Sequence, residues 1–146
     1  MLITVPVAIA MVRAVADAPF APGPGSASLS LYTGPVPTSA AAALNVAQNR
    51  HVCSFEFEDS MFGPAAQIGG SGVVEAALST TPAQEALDAG DISFFRIYGT
   101  DGEPTHQGEV SENMAEAMSK LIVNQKTVTV GAEVRVLRLV IGTNID

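Results

Sequence analysis

Apolar and polar residues alternate in several short runs along this chain, with the period of two that is typical of β-strands. The clearest run covers residues 51–58, where Cys53, Phe55 and Phe57 occupy every second position and polar side chains stand between them. A second run, at residues 27–32, alternates leucine with serine. Both runs predict strands that pack one face into a hydrophobic core.

A tyrosine followed by a glycine turn ends the first strand, and the same arrangement recurs after residues 92–98. There, Asp101-Gly102 separates the strand from a second alternating run at residues 105–110, and this dipeptide between two such runs predicts a β-hairpin. We expect the two tyrosines, Tyr32 and Tyr98, to close the ends of the core, with their hydroxyl groups bonded to the backbone.

The remaining alternating runs predict further strands at residues 73–78, 121–123, 127–130 and 132–141. In the last run the apolar phase shifts near Val136-Leu137, which predicts a bulge or a bend between two sheets. About eight short strands at regular spacing favour an all-β fold, a jelly roll or β-sandwich, that occupies residues 27–146.

Three segments between the strands have some helical character. Thr81, Pro82 and Gln84 form a plausible start for a short helix over residues 81–89. The alanine-rich segment 38–48 is compatible with a short helix or with a loop that lies flat on the sheet. Residues 111–120 have apolar residues at helical spacing in a β neighbourhood, and the sequence leaves their structure open.

Residues 4–17 predict a short helix that is apolar nearly all round, interrupted only by Arg13 and Asp17. Such a helix must be buried on more than one side, either against its own domain or against a neighbouring subunit. Residues 18–26 contain three prolines and two glycines and predict a connector or an extended arm. We treat residues 1–26 as an N-terminal unit. We expect it to be retained rather than cleaved as a signal peptide, because no positive charge precedes its apolar stretch.

The chain carries a formal net charge of −8, and its seven lysine and arginine residues are scattered. Phosphate backbones are bound by clustered basic residues. The sequence therefore predicts no binding to nucleic acid, and its apolar N-terminal stretch is too short to predict a membrane span.

Candidate chemistry is sparse. Cys53 is the single cysteine and is predicted to be a buried apolar residue. His51 lies two residues away, but His106 is remote, so the spacing does not predict a metal site. The glycine-rich stretch around Ser71 lacks the pattern of a nucleophile elbow and predicts a flexible turn.

The remaining cluster of candidate residues is acidic and consists of Glu56, Glu58 and Asp59. Glu56 and Glu58 project from the same strand face, whereas glycosidase chemistry needs two carboxylates across a cleft. The cluster therefore indicates a solvated face. We expect no catalytic residue, no metal site and no cofactor, and hence a protein that is not an enzyme.

The order of these elements resembles a group of small virion proteins of tailed bacteriophages. The resemblance rests on Leu31-Tyr-Thr-Gly34-x-x-Pro37, on the hairpin Phe95-Arg-Ile-Tyr98 with its return Gln107-Gly-Glu-Val110, and on a terminal strand pair joined at Val130-Gly131-Ala132. It covers residues from about 4 to 141. These are strand and turn signatures rather than catalytic ones.

The resemblance implies a capsid decoration or cement protein that lies on the outer surface of the virion, binds the major capsid protein and forms a homotrimer. Contact residues would come from the N-terminal unit, and we select Val7, Met11 and Phe20. The alternatives are a tail-tip, adaptor or fibre-associated protein of the virion, a carbohydrate-binding β-sandwich, and a host β-sandwich without a virion role. The absence of tryptophan from the sequence disfavours a sugar-binding platform.

Overall fold

The computed structural model describes residues 4–20, 25–57, 61–67, 73–117 and 119–144. These residues form one α-helix, two short 3-10 turns and eleven strands. In chain order the elements are α1 (Val5–Asp17), a 3-10 turn (Ala18–Phe20), β1 (Ala27–Thr33), β2 (His51–Phe57), β3 (Ala66–Gln67), β4 (Val73–Ala77), β5 (Ala83–Glu85), β6 (Gly90–Tyr98), β7 (Pro104–Ser111), a 3-10 turn (Met114–Glu116), β8 (Leu121–Val123), β9 (Thr127–Val128), β10 (Glu133–Arg138) and β11 (Val140–Asn144).

The all-β fold with a short N-terminal helix is confirmed. The larger sheet has the strand order β2-β1-β6-β7-β8-β10-β5, with β9 paired to the start of β6. Its neighbours are antiparallel except for β7 and β8, which run parallel. The predicted hairpin is formed by β6 and β7, and the turn between them is closed by a 2.9 Å hydrogen bond from the Gly99 N–H to the Glu103 carbonyl.

The larger sheet curls until its two ends nearly meet. Strand β5 at one end lies beside β2 at the other, and the backbone N–H of Leu87, just after β5, donates to the Val52 carbonyl at 2.7 Å. Closure of this kind covers strand edges that would otherwise be free to pair with other chains. The result is a barrel-like sheet with a small second sheet packed against it.

The predicted helix over residues 81–89 is wrong, because residues 83–85 form strand β5. A helix of nine residues is only marginally stable on its own. Pairing with the edge of β10 gives the backbone of residues 83–85 hydrogen-bond partners instead. Ala83 pairs with Arg135 and Glu85 pairs with Glu133. The alternative for residues 38–48, a loop on the sheet, is the one observed. In the segment 111–120, β7 ends at Ser111 and the described residues that follow include a 3-10 turn at Met114–Glu116.

The second sheet has the order β11-β4-β3. The run predicted as one strand over residues 132–141 divides between the two sheets, with β10 in the larger and β11 in the smaller. Pairing of β10 with β8 is irregular between Val136 and Arg138, and the chain crosses over at the buried Leu139. The bend predicted near Val136-Leu137 is thus confirmed.

The core fills the space inside the larger sheet and between the two sheets. On the inner face of the larger sheet, Leu29 pairs with Ile97 and Leu31 pairs with Phe95 across β1 and β6. All four side chains are buried, as is Phe55 on β2. The alternation that predicted β1 and β2 from the sequence therefore points the apolar residues inward.

The outer face of the larger sheet is also covered, by the loop between β1 and β2. Arg96 on β6 is buried there, and its Nη2 donates to the carbonyls of Ser39 at 3.1 Å and Ala42 at 2.6 Å. Its Nε donates to the Gln107 side chain at 2.8 Å, and Gln107 donates in turn to the Pro37 carbonyl. These bonds hold the alanine-rich loop flat on the sheet.

Candidate contact surface

The helix α1 forms from residues that favour helix starts and interiors. Thr4 has an extended backbone and its carbonyl accepts the first helical bond, from the Ala8 N–H at 3.0 Å. Pro6 lies in the first turn, where its missing N–H costs nothing. Alanine, the strongest helix former, recurs through the 13 residues.

One face of α1 packs on the chain's own second sheet. Its row of side chains at every fourth position, Ala8, Val12 and Ala16, is buried against β4 and β11. Two of the three are alanines, so the helix axis can approach the sheet closely. The helix therefore packs within its own domain, which is one of the two arrangements that the sequence left open.

Polar contacts also hold the C-terminal half of α1 in place. Arg13 binds Asp17 one turn further on, and its Nη1 donates to the Gly63 carbonyl at 2.8 Å. Near the end of the helix, Pro19 has no N–H to offer the Val15 carbonyl, which would normally accept from that position. The His106 ring on β7 lies within hydrogen-bonding reach of the Val15 backbone at this point. No sequence signal pointed to this role of His106.

A neighbouring face of α1, about 100° round the helix axis from the buried row, is exposed and apolar. Val7, Met11 and Val15 lie one turn apart and retain 48%, 45% and 44% of their surface in contact with solvent. The smaller residues Ala10 and Ala14 between them are exposed as well. We call Val7, Met11 and Val15 the apolar stripe. Exposed apolar side chains in a continuous row, held on a fixed helix, are typical of a docking surface.

The structure separates the three residues selected from the sequence. Val7 and Met11 lie on the apolar stripe, whereas Phe20 is half-buried and packs against the core. Val15 is the member of the stripe that sequence reasoning missed. Its position four residues after Met11 was the available signal, because residues at this spacing share one helix face.

The hairpin loop between β6 and β7 adjoins the end of this helix. The Thr100 N–H donates to the Pro19 carbonyl at 3.0 Å, and the Gly25 N–H donates to the Thr100 carbonyl at 2.8 Å. Asp101 and Glu103 in the same loop are exposed. The loop that carries these two exposed acidic residues therefore lies next to the C-terminal end of α1.

The candidate reactive residues lie elsewhere. Cys53 is buried, and burial raises the pKa of its thiol to about 11, so it is protonated at neutral pH. His51 Nε2 is 2.7 Å from the Ser54 hydroxyl. Among the described residues, no group of three His, Cys, Asp or Glu side chains could hold a metal ion. Glu58, Asp59 and the stretch around Ser71 lie outside the described residues.

A cavity of about 180 Å³ opens between β7 and β11. Its walls are mostly apolar, from Phe95, Ile97 and Leu139, and Lys120 lies at its border. The Lys120 ammonium is 3.3 Å from Glu116 and 3.6 Å from Glu109, so its charge is already balanced. Among the described residues that line the cavity, no lysine or arginine is left unpaired to bind an anionic ligand.

Comparison with known proteins found no match to a protein family, to a curated protein or to a solved structure. Within the described part of the chain, α1 and the 3-10 turns are all too short to cross a membrane.

Proposed function

We propose that this protein is a non-enzymatic structural protein of a tailed-bacteriophage virion, which decorates the outer surface of the capsid and binds the major capsid protein. The observation that carries the proposal is the apolar stripe on α1, exposed on a helix whose other face is locked to the sheet. The resemblance of the strand and turn signatures to phage virion proteins supports the virion as the setting.

Rigid display of the stripe favours binding. The side chains of Met11 and its neighbours lie on a helix that is held in place by packing and by the bonds of Arg13 and His106. Because the helix is already ordered, docking of a partner costs little backbone conformational entropy. A rigid all-β body behind the helix suits a clamp that spans neighbouring shell subunits.

On a capsid, each individual contact between this protein and the shell can be weak. A capsid presents the same site many times, and a homotrimer, which we propose as the assembled state, would engage several sites together. Linked weak contacts give high avidity when the geometry lets them form simultaneously. The net charge of −8 keeps the free protein soluble before it assembles.

The test is co-sedimentation of the purified protein with phage shells that were assembled without it. We expect Met11→Asp to abolish binding, because a carboxylate would be buried without a partner at the interface. Val46→Asp is the matched control, since Val46 is 88% exposed in the loop that covers the larger sheet. Circular dichroism establishes that both variants fold. Shells that fail to bind the unmodified protein would contradict the proposed function.

A further inference from the structure

The unpaired charge that this protein presents to a partner is mainly acidic. Six of its seven basic side chains are held by groups of the same chain. Among the described residues, Glu56, Glu85, Asp101 and Glu103 are exposed and form no salt bridge. The held groups are Arg13 with Asp17, Arg50 with Asp88, Arg96 with Gln107 and the loop carbonyls, Lys120 with Glu109 and Glu116, Arg135 with Glu133, and Arg138 with Glu75. A partner therefore meets mainly unpaired negative charge.

Two of the solvent-facing carboxylates have a defined position relative to the apolar stripe. Asp101 Oδ1 accepts a hydrogen bond from the Glu103 N–H at 3.0 Å, which orders the hairpin loop. The Thr100 N–H in this loop bonds to the Pro19 carbonyl, two residues after α1 ends. The acidic loop therefore lies next to the C-terminal end of the helix that carries the stripe.

A second copy of this chain fits that surface poorly. The apolar stripe spans nine residues, about 13 Å of helix, and at about 10 Å wide it covers roughly 130 Å², against about 800 Å² per partner in a stable interface. This is too small to hold two free copies together, whereas on a shell the same small contact is repeated many times. Two copies docked through this surface would also bring their acidic loops together or leave them unmatched. Like charges at an interface are unfavourable.

We propose that the apolar stripe and the acidic loop dock together into an apolar groove on the capsid surface that is bordered by lysine or arginine side chains. This inference rests on the proposed function and specifies the chemistry of the partner site. The stripe supplies the buried contact, while Asp101 and Glu103 set the direction in which the helix lies and accelerate the encounter with the basic border.

The experiment compares association rates with the same shells, assembled without this protein, at low and high salt. The test variant is Asp101→Asn with Glu103→Gln, in which the asparagine can keep the bond to the Glu103 N–H. The control is Glu56→Gln with Glu85→Gln, which changes the net charge equally at two exposed positions. We expect the test variant to associate about fivefold more slowly at low salt, with a smaller salt dependence, and the control to behave as the unmodified protein does.

Three results would overturn the inference. If both double variants slow association equally, the effect is one of overall charge and no basic border faces the loop. If sedimentation shows that Met11→Asp dissociates an oligomer of the free protein, the stripe contacts a second copy. If shells do not bind the unmodified protein at all, the proposed function fails and the inference fails with it. The first two results leave capsid decoration standing.

Discussion

The hydroxyl groups of Tyr32 and Tyr98 lie 2.8 Å apart, on the neighbouring strands β1 and β6. Both tyrosines come from the recurring pattern of a strand, a tyrosine and a glycine turn. They bond to each other rather than to the backbone partners expected from the sequence. Tyr32 is buried and also stacks on Phe94 at 5.2 Å between ring centres, and burial raises the pKa of its phenol above the usual range.

This pair should show direct energetic coupling. Tyr32→Phe and Tyr98→Phe each remove the shared hydrogen bond, and each is expected to lower the free energy of unfolding by about 1 kcal/mol. The double variant should cost about the same as either single one, because the bond can be lost only once. Urea unfolding of the four proteins gives the coupling, and strictly additive losses would show that the hydroxyl groups act independently.

Arg96 should determine whether the loop at residues 38–48 stays on the sheet. Arg96→Met leaves the carbonyls of Ser39 and Ala42 without their donor, and we expect the free energy of unfolding to fall by about 2 kcal/mol. Thermolysin should then cleave the loop faster. The control is Arg135→Met, which removes an arginine whose side chain is 41% exposed and bonds to Glu133, away from the loop. Equal protease resistance in both variants would contradict the role of Arg96 as the loop's attachment.

Gly108 should tolerate no side chain. A Cβ at this position would lie 2.7 Å from the Phe95 ring, closer than carbon atoms approach without displacement. We expect Gly108→Ala to cost about 1–3 kcal/mol and Phe95→Leu to recover part of that loss in the double variant. Gly63→Ala is the control, because its Cβ would make an ordinary contact at 3.6 Å. If Phe95→Leu recovers none of the stability lost in Gly108→Ala, the Phe95 ring is not the group with which the new side chain collides.

His106 should make the protein less stable in mild acid. Burial lowers the pKa of its ring below the usual 6.5, and the hydrogen bond to Val15 only partly opposes this. The unfolded chain therefore takes up a proton first as pH falls. The stability gained from a neutral His106 is complete above about pH 6.5 and declines as pH falls from there through the lower folded pKa.

The variant His106→Gln isolates this contribution from that of other titrating groups. We expect its urea midpoint to change less between pH 7.5 and pH 5 than that of the unmodified protein. His51→Gln is the comparison, because burial lowers the pKa of His51 as well, at a site remote from the helix. An unchanged pH dependence in His106→Gln would show that this ring is not the group that titrates.

Local patterns predicted most of the strands, though not β3 at Ala66–Gln67, together with the hairpin at Asp101-Gly102 and the crossover near Val136. Alternation and turn residues succeed there because they report directly on backbone geometry. Strand β5 could not be predicted, since residues 83–85 adopt their conformation only through pairing with a strand some 50 residues later. Of the contact surface, Val7 and Met11 followed from apolarity. The half-buried position of Phe20 and the bond from His106 to Val15 depend on tertiary packing that no local pattern encodes.

The most direct test of capsid decoration is the number of copies of this protein per purified phage particle, measured by quantitative mass spectrometry against the major capsid protein. If the protein decorates the capsid, the number of copies should be comparable with that of the capsid subunits. A handful of copies would place the protein at the tail or at a vertex, and its absence from particles would contradict the virion assignment altogether.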